Sequence, residues 1–193
     1  MIKLILNFFL LISITFFYGC SPVGILASGG ATTMVVAEGD RTIGTVVDDT
    51  TIKLNLSTKF LQSSNNLFIN INSNVIDGRV LLTGIVETQE IRIEAVKKVW
   101  EIKGVSEVIN EIDVGEKTTI KEYANDLWIN TQVKSLAAKT LGLRSLSYNF
   151  ETIKGRVFVA GITKNVDQLE NVIMVLKTIK GVKEIVNYVI IVE

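Results

Sequence analysis

The chain has 193 residues, 48% of them hydrophobic and 21% charged, with 20 basic and 20 acidic side chains and no net charge. That apolar fraction excludes a chain disordered throughout, and the length allows one domain or two small ones. A single cysteine excludes an internal disulfide, and the absence of histidine removes the usual zinc ligand set and the commonest general base.

Residues 1–20 read MIKLILNFFLLISITFFYGC. Lys3 supplies a short positive start, and Leu4 to Tyr18 is apolar except for Asn7, Ser13 and Thr15. That stretch is short of the ~20 residues a permanent transmembrane helix needs, and it has the length of a secretory h-region. We read residues 1–19 as a signal peptide. Gly19-Cys20 resembles the lipobox of bacterial lipoproteins, with Phe17 and Tyr18 standing where a Leu and a small residue are usual. The resemblance implies that Cys20 carries a covalent diacylglycerol and an acyl chain such as palmitate. Ser21, a residue other than Asp, implies sorting to the outer membrane. Two alternatives stay open: an uncleaved anchor with an incidental cysteine, and ordinary cleavage near Ala27. Residues 20–45 are rich in Gly, Ala, Ser and Thr and read as a flexible tether.

The remainder repeats itself at an ungapped offset of 77 residues. Gly78-Arg79-Val80 falls on Gly155-Arg156-Val157, Gly84-Ile85 on Gly161-Ile162, and Ile102-Lys103-Gly104-Val105 on Ile179-Lys180-Gly181-Val182. Each copy opens with a predicted helix. Asp48 or Asp49, and Asn125 or Asp126, serve as its N-cap, with apolar residues every fourth position at Ile52, Leu56 and Phe60, and at Ile129, Val133 and Ala137. Alternation at Leu67-Ile69-Ile71 and Leu146-Tyr148-Phe150 predicts a strand. Asp77-Gly78 and Lys154-Gly155 predict a two-residue hairpin turn. The return strands run from Arg79 to Ile85 and from Arg156 to Ile162. Thr88 and Asn165 cap a second helix, with Gly104 and Gly181 expected as its C′ residues. A last strand follows, parallel to the second through a right-handed crossover. Gly78, Gly84, Gly104, Gly155, Gly161 and Gly181 are assigned structural roles, Gly84 and Gly161 for positive φ or close backbone approach.

The fold expected is therefore α+β: two tandem units, each helix-strand-strand-helix-strand, with a three-stranded mixed sheet packed on two helices. The units span 46–114 and 125–193, with 115–124 as linker. The ungapped offset and polar linker predict units that fold with little mutual dependence.

The stretch DGRVLLTG (Asp77–Gly84), its copy KGRVFVAG (Lys154–Gly161) and the KGV opening each last strand resemble the BON domain family. The chain as a whole is similar to dual-BON lipoproteins of the outer membrane. The resemblance implies a periplasm-facing envelope protein that binds anionic phospholipids, such as phosphatidylglycerol and cardiolipin, through its second BON domain. It also implies support of outer-membrane integrity, concentration at division sites, and no catalysis or cofactor beyond the Cys20 lipid. Adaptor work for envelope-assembly or division proteins is the alternative, with a soluble periplasmic osmotic-stress protein as another.

Trp128 is the candidate lipid-contact residue, with packing against the other BON domain as the alternative. It sits about 100° off the apolar stripe of its helix, and its counterpart in copy one is Thr51, so the fold does not demand an aromatic there. Tryptophan favours the membrane interface. Leu127, Lys134, Lys139 and Arg144 are expected to share that surface. From Asp49 to Val114 there are 7 basic and 9 acidic residues, and from Asp126 to Glu193 there are 9 basic and 6 acidic, so the second copy carries the positive excess. Nucleic acid is not an expected partner, and no metal or catalytic constellation is read.

Overall fold

The computed structural model describes residues 43–192. The signal peptide, Cys20 and most of the tether lie outside the described residues. Helix α1 spans Ile43–Leu61 and α2 is one turn, Leu67–Asn70. Strands β1 (Ile71–Ile76) and β2 (Arg79–Val86) follow, then α3 (Gln89–Trp100) and β3 (Glu107–Val114). The second copy has α4 (Ile120–Leu141), a 3₁₀ segment at Gly142–Ser147, β4 (Tyr148–Ile153), β5 (Arg156–Thr163), α5 (Val166–Leu176) and β6 (Glu184–Ile191). In each copy the first two strands pair antiparallel and the third joins the second in parallel.

Each sheet buries one face against its helices. Ile52, Leu56 and Phe60 of α1 meet Val80, Leu82 and Val86 of β2 and Ala95 and Val99 of α3. In the second copy Ile129, Val133 and Ala137 meet Val157, Val159, Leu169, Val172 and Leu176. The spacing of four that marks both first helices is the spacing of these buried residues.

The expected caps differ from what is found. α1 already runs through Ile43, so residues 43–45 of the tether are helical. α4 starts at Ile120 on a capping box formed by Thr119 and Glu122, so residues 120–124 of the expected linker are its first turns. Asp49 and Asp126 lie inside their helices, buried, and do different work. Each carboxylate accepts two backbone N–H groups from the tip of its hairpin. Asp49 takes those of Asp77 and Gly78 at 2.8 and 2.9 Å. Asp126 takes those of Lys154 and Gly155 at 2.7 and 2.8 Å. Both central residues of each turn have positive φ: 54° and 72° at Asp77 and Gly78, 50° and 80° at Lys154 and Gly155. That is the type I′ geometry two-residue hairpins favour. The charge-assisted bonds satisfy turn N–H groups that face the helix rather than solvent.

The strands also start later than the alternation indicates. Leu67–Asn70 is helical and Gly142–Ser147 is 3₁₀, so pairing begins at Ile71 and Tyr148. Thr88 and Asn165 cap α3 and α5 as read. Those helices end at Trp100 and Leu176, and a further turn separates them from Gly104 and Gly181, so the glycines are not C′ residues. Gly84 and Gly161 stand inside their strands, two residues before the end. A Cβ on Gly84 would lie 2.2 Å from the Asn70 carbonyl oxygen, and φ there is +144°. At Gly161 a Cβ would lie 2.7 Å from the Ser147 carbonyl oxygen, without a left-handed φ.

The two copies pack against each other rather than standing apart. Their sheets stack through the faces turned away from the helices, β1 lying against β5 and β2 against β4. Ile76 and Leu81 of the first sheet share one buried cluster with Phe158, Ala160 and Ile162 of the second. Phe158 is 1% exposed. At the rim Arg156 bridges to Glu111 at 2.8 Å and Asp113 at 3.4 Å, and the Tyr188 hydroxyl donates to the Glu111 carboxylate. Burial, then Glu111, push the Tyr188 phenol up to about 12. Glu111 and Tyr188 are repeat mates, 77 residues apart. Contact between mates is what a near two-fold stacking of equivalent sheets produces.

Candidate functional site

α4 is positioned by three things: its capping box, its buried stripe and its grip on the β4–β5 turn. Thr119 Oγ1 accepts from the Glu122 N–H at 3.3 Å, and the Glu122 carboxylate accepts from the Thr119 N–H at 2.9 Å. The bonds that Thr119 donates hold the Glu122 carboxyl below its ordinary pKa. Asp126, Ile129, Val133, Ala137 and Leu141 are buried. The opposite face is open.

On that open face, Trp128 is 49% and Leu127 56% exposed. Lys134, Lys139 and Arg144 are also exposed. At 100° per residue, Lys139 lies within about 20° of the Trp128 row, and Lys134 within about 20° of the Leu127 row. Exposed Lys121 in the first turn also falls within about 20° of the Trp128 row, so ammonium groups flank the apolar ones on both sides along the helix. Arg144 stands apart: it belongs to the 3₁₀ segment and its Nη1 donates to Gln168 Oε1 of α5 at 3.2 Å. The structure brings Trp128, Leu127, Lys134 and Lys139 onto one helix, and Arg144 to the neighbouring seam between the 3₁₀ segment and α5.

Further members of this surface were missed in the sequence. Ile120 is 89% and Tyr123 64% exposed, both on the Leu127 side of α4. Reading 115–124 as linker hid them, although Thr119 and Glu122 carry the T-x-x-E spacing of a capping box. Leu143 and Leu146, exposed in the 3₁₀ segment, extend the apolar area beyond the helix.

Lys134 also borders a groove of about 460 Å³ lined by Ala138, Leu146, Asn149 and Glu151, with Asn74 from the first copy. The Glu151 carboxylate accepts from Asn72 Nδ2 at 3.0 Å, across the seam between the copies. Burial raises the Glu151 pKa, against the pull of Lys134 on α4 and Lys53 on α1. Burial likewise lowers that of Lys53, whose ammonium donates to Ser73 Oγ at 3.0 Å. Desolvation outweighs mutual attraction for both partners, the usual balance for half-buried opposite charges.

Among the described residues no group of three or more Cys, Asp or Glu side chains is arranged to hold a metal ion. Nor is any described helix long and apolar enough to cross a membrane. What the α4 surface offers is an indole, aliphatic and phenolic groups beside lysines, a set that suits a boundary between apolar and anionic phases.

The BON domain family matches the chain at residues 48–116 and 125–193. A protein of Anaplasma centrale known from the gshII 5′ region is 35% identical over 144 residues, 74% of this chain and 94% of its own length. Outer membrane lipoprotein DolP of Haemophilus influenzae is 29% identical over 173 residues, covering 89% of this chain and 88% of that one. The osmotically-inducible protein Y of Escherichia coli is 25% identical over 147 residues, 75% of this chain and 73% of that one. With two family matches falling on the two α+β copies, the chain belongs to the BON-domain family as a dual-BON, DolP-like protein.

Proposed function

We propose that this chain is an outer-membrane envelope lipoprotein, anchored by acyl chains on Cys20 and facing the periplasm. Its second BON domain binds anionic phospholipid, phosphatidylglycerol or cardiolipin, through the open face of α4. The protein works by binding rather than catalysis, supporting outer-membrane integrity, with concentration at division sites as part of the same reading. The observation that carries it is Trp128: half exposed on α4, beside exposed Leu127 and in line with Lys139, where the first copy has Thr51. The similarity to a protein named as an outer membrane lipoprotein supports the location. A diacyl or triacyl anchor is firm, and tethering raises the local concentration of the second contact.

The test keeps both copies together, because removing the first would expose Phe158, Ala160 and Ile162 and create a spurious apolar surface. A chain starting at Ser21 is floated with vesicles. We expect binding to phosphatidylglycerol or cardiolipin vesicles and weak binding to phosphatidylcholine. Trp128→Glu should lower it by about tenfold or more at unchanged melting, since an exposed position tolerates polarity. Added salt should weaken the binding without removing it, because inserted apolar area is not screened. Equal binding by the variant and the parent would reject the lipid reading in favour of a protein-binding adaptor. Mass spectrometry of the mature N-terminus tests the anchor: an acylated Cys20 is expected, and an unmodified one contradicts it.

A further inference from the structure

The first copy exposes a row of large apolar side chains at places where the second has small or polar ones. On α1, Val47, Leu54 and Leu61 recur every seven residues and are 49%, 64% and 69% exposed. Phe68 and Ile69 of α2, the turn that follows α1, are also exposed, at 51% and 80%. The equivalents in the second copy are Ala124, Thr131, Ala138, Ser145 and Leu146. The fold therefore does not require large apolar groups at four of these five places.

The residues flanking the row are already prepared for water removal. Thr50, Thr51, Ser57 and Thr58 lie within about 60° of the Leu54 direction. Every one of these hydroxyls donates to a carbonyl of its own helix four residues back: Val46, Val47, Lys53 and Leu54, at 2.7–3.0 Å. Burying a hydroxyl is expensive only when it loses its partner. With these bonds made internally, the face presents methyl groups and can leave water at little polar cost. No charged side chain of α1 falls within that arc. Asp48 and Lys59 lie about 120–140° from the Leu54 direction, and Lys53 is turned to Ser73.

We propose that the α1 face of the first BON domain is a second membrane contact, inserting into the lipid surface by apolar area alone and without regard to headgroup charge. Two features of the chain favour lipid over other occupants. Ile43, at the start of α1, stands 23 residues after Cys20, so the intervening chain reaches at most about 80 Å. If Cys20 is acylated, as the proposed function holds, this helix is confined within that reach of a bilayer, which raises the local concentration of lipid surface it meets. A second copy of the chain would gain little: 19 residues make a helix about 28 Å long, and one such helix pair falls short of the ~1,200 Å² of a stable interface. The face also has no charge with which to select a charged partner.

The full lipid-anchored chain is reconstituted in vesicles with Leu54→Cys carrying an environment-sensitive dye. Acylation of Cys20 leaves the introduced thiol as the labelling site. In phosphatidylcholine vesicles, which α4 binds only weakly, the dye should be quenched by spin-labelled lipid, and added salt should not change it. In phosphatidylglycerol vesicles α4, on the opposite side of the stacked sheets, competes for the bilayer, and quenching should reach the phosphatidylcholine level in the Trp128→Glu background, so failure of the α4 reading is visible separately. A dye reached by aqueous iodide in every composition overturns the proposal. So does a dye shielded from both iodide and lipid, which would mean that another segment of the chain covers the face. Disulfide dimers formed by unlabelled Leu54→Cys in place of lipid quenching would assign the face to a second copy, and would overturn it too.

Discussion

The two BON copies share a scaffold and differ on their surfaces. Both keep the buried aspartate that clamps the hairpin, at Asp49 and Asp126, with the same two N–H partners in each. Both keep the I′ turn and the same sheet order. Away from that scaffold, the first copy exposes a neutral Val-Leu-Leu row on α1. The second exposes Ile120, Tyr123, Leu127 and Trp128 on α4, followed by lysines. Interior positions drift in a coupled way. Lys53 donates to Ser73, whereas their equivalents are Asn130 and Phe150, and Asn130 Oδ1 is left buried without a hydrogen-bond partner. A duplicated fold thus retains what closes its turns and sheets, and changes what meets its surroundings.

The largest expected effect comes from the shared inter-sheet core. Phe158→Ala should cost about 3–5 kcal/mol in denaturant unfolding, because a fully buried aromatic leaves a cavity. It should also lower hydrogen-exchange protection in β1 and β2 of the other copy. Loss confined to the second copy would restore the picture of independent units. The two strand glycines should respond unequally. Gly84→Ala meets both a left-handed φ and a 2.2 Å overlap, and should cost about 3 kcal/mol or more. Gly161→Ala meets only the 2.7 Å contact and should cost about 1–3 kcal/mol by the same measurement. Asp49→Ala and Asp126→Ala should each cost about 1–3 kcal/mol and match one another closely, since each strands two turn N–H groups.

The smallest effect concerns Glu151. A carboxyl whose pKa is higher folded than unfolded is a burden when ionised. The burden is full above the raised pKa and fades as pH falls toward the ordinary carboxylate value of about 4.3. Glu151→Gln keeps the acceptor for Asn72. It should therefore be more stable than wild type at neutral pH, with the gap closing on acidification through that window. Melting across pH reads it, and a gap that widened towards acid would reverse the sign argued here.

Much of this architecture is legible in the residues. The 77-residue offset, the Asp77-Gly78 turn and the Thr88 and Asn165 caps locate the elements to within a few positions. The helix starts escape because Asp49 and Asp126 look like caps, and only the distant hairpin N–H groups reveal their role. The sheet stacking escapes because the alternation at Leu67-Ile69-Ile71 and Leu146-Tyr148-Phe150 marks one apolar face and is silent on the other. The signal lies in β2 and β5, where Val80-Leu81-Leu82 and Val157-Phe158-Val159 are apolar on both faces, the pattern of strands covered from both sides. Trp128 and Leu127 could be found by comparing copies, whereas Ile120 and Tyr123 needed the true start of α4.

Trp128 itself reports most directly on the lipid-binding account, because the chain has only one other tryptophan, Trp100. In the full lipid-anchored chain carrying Trp100→Phe, the remaining emission is followed in phosphatidylcholine vesicles and in vesicles containing phosphatidylglycerol or cardiolipin. A blue shift with quenching by lipid-borne spin labels, appearing only with the anionic lipids, is the predicted result. Emission that stays red, accessible to aqueous quencher and indifferent to lipid composition would contradict it.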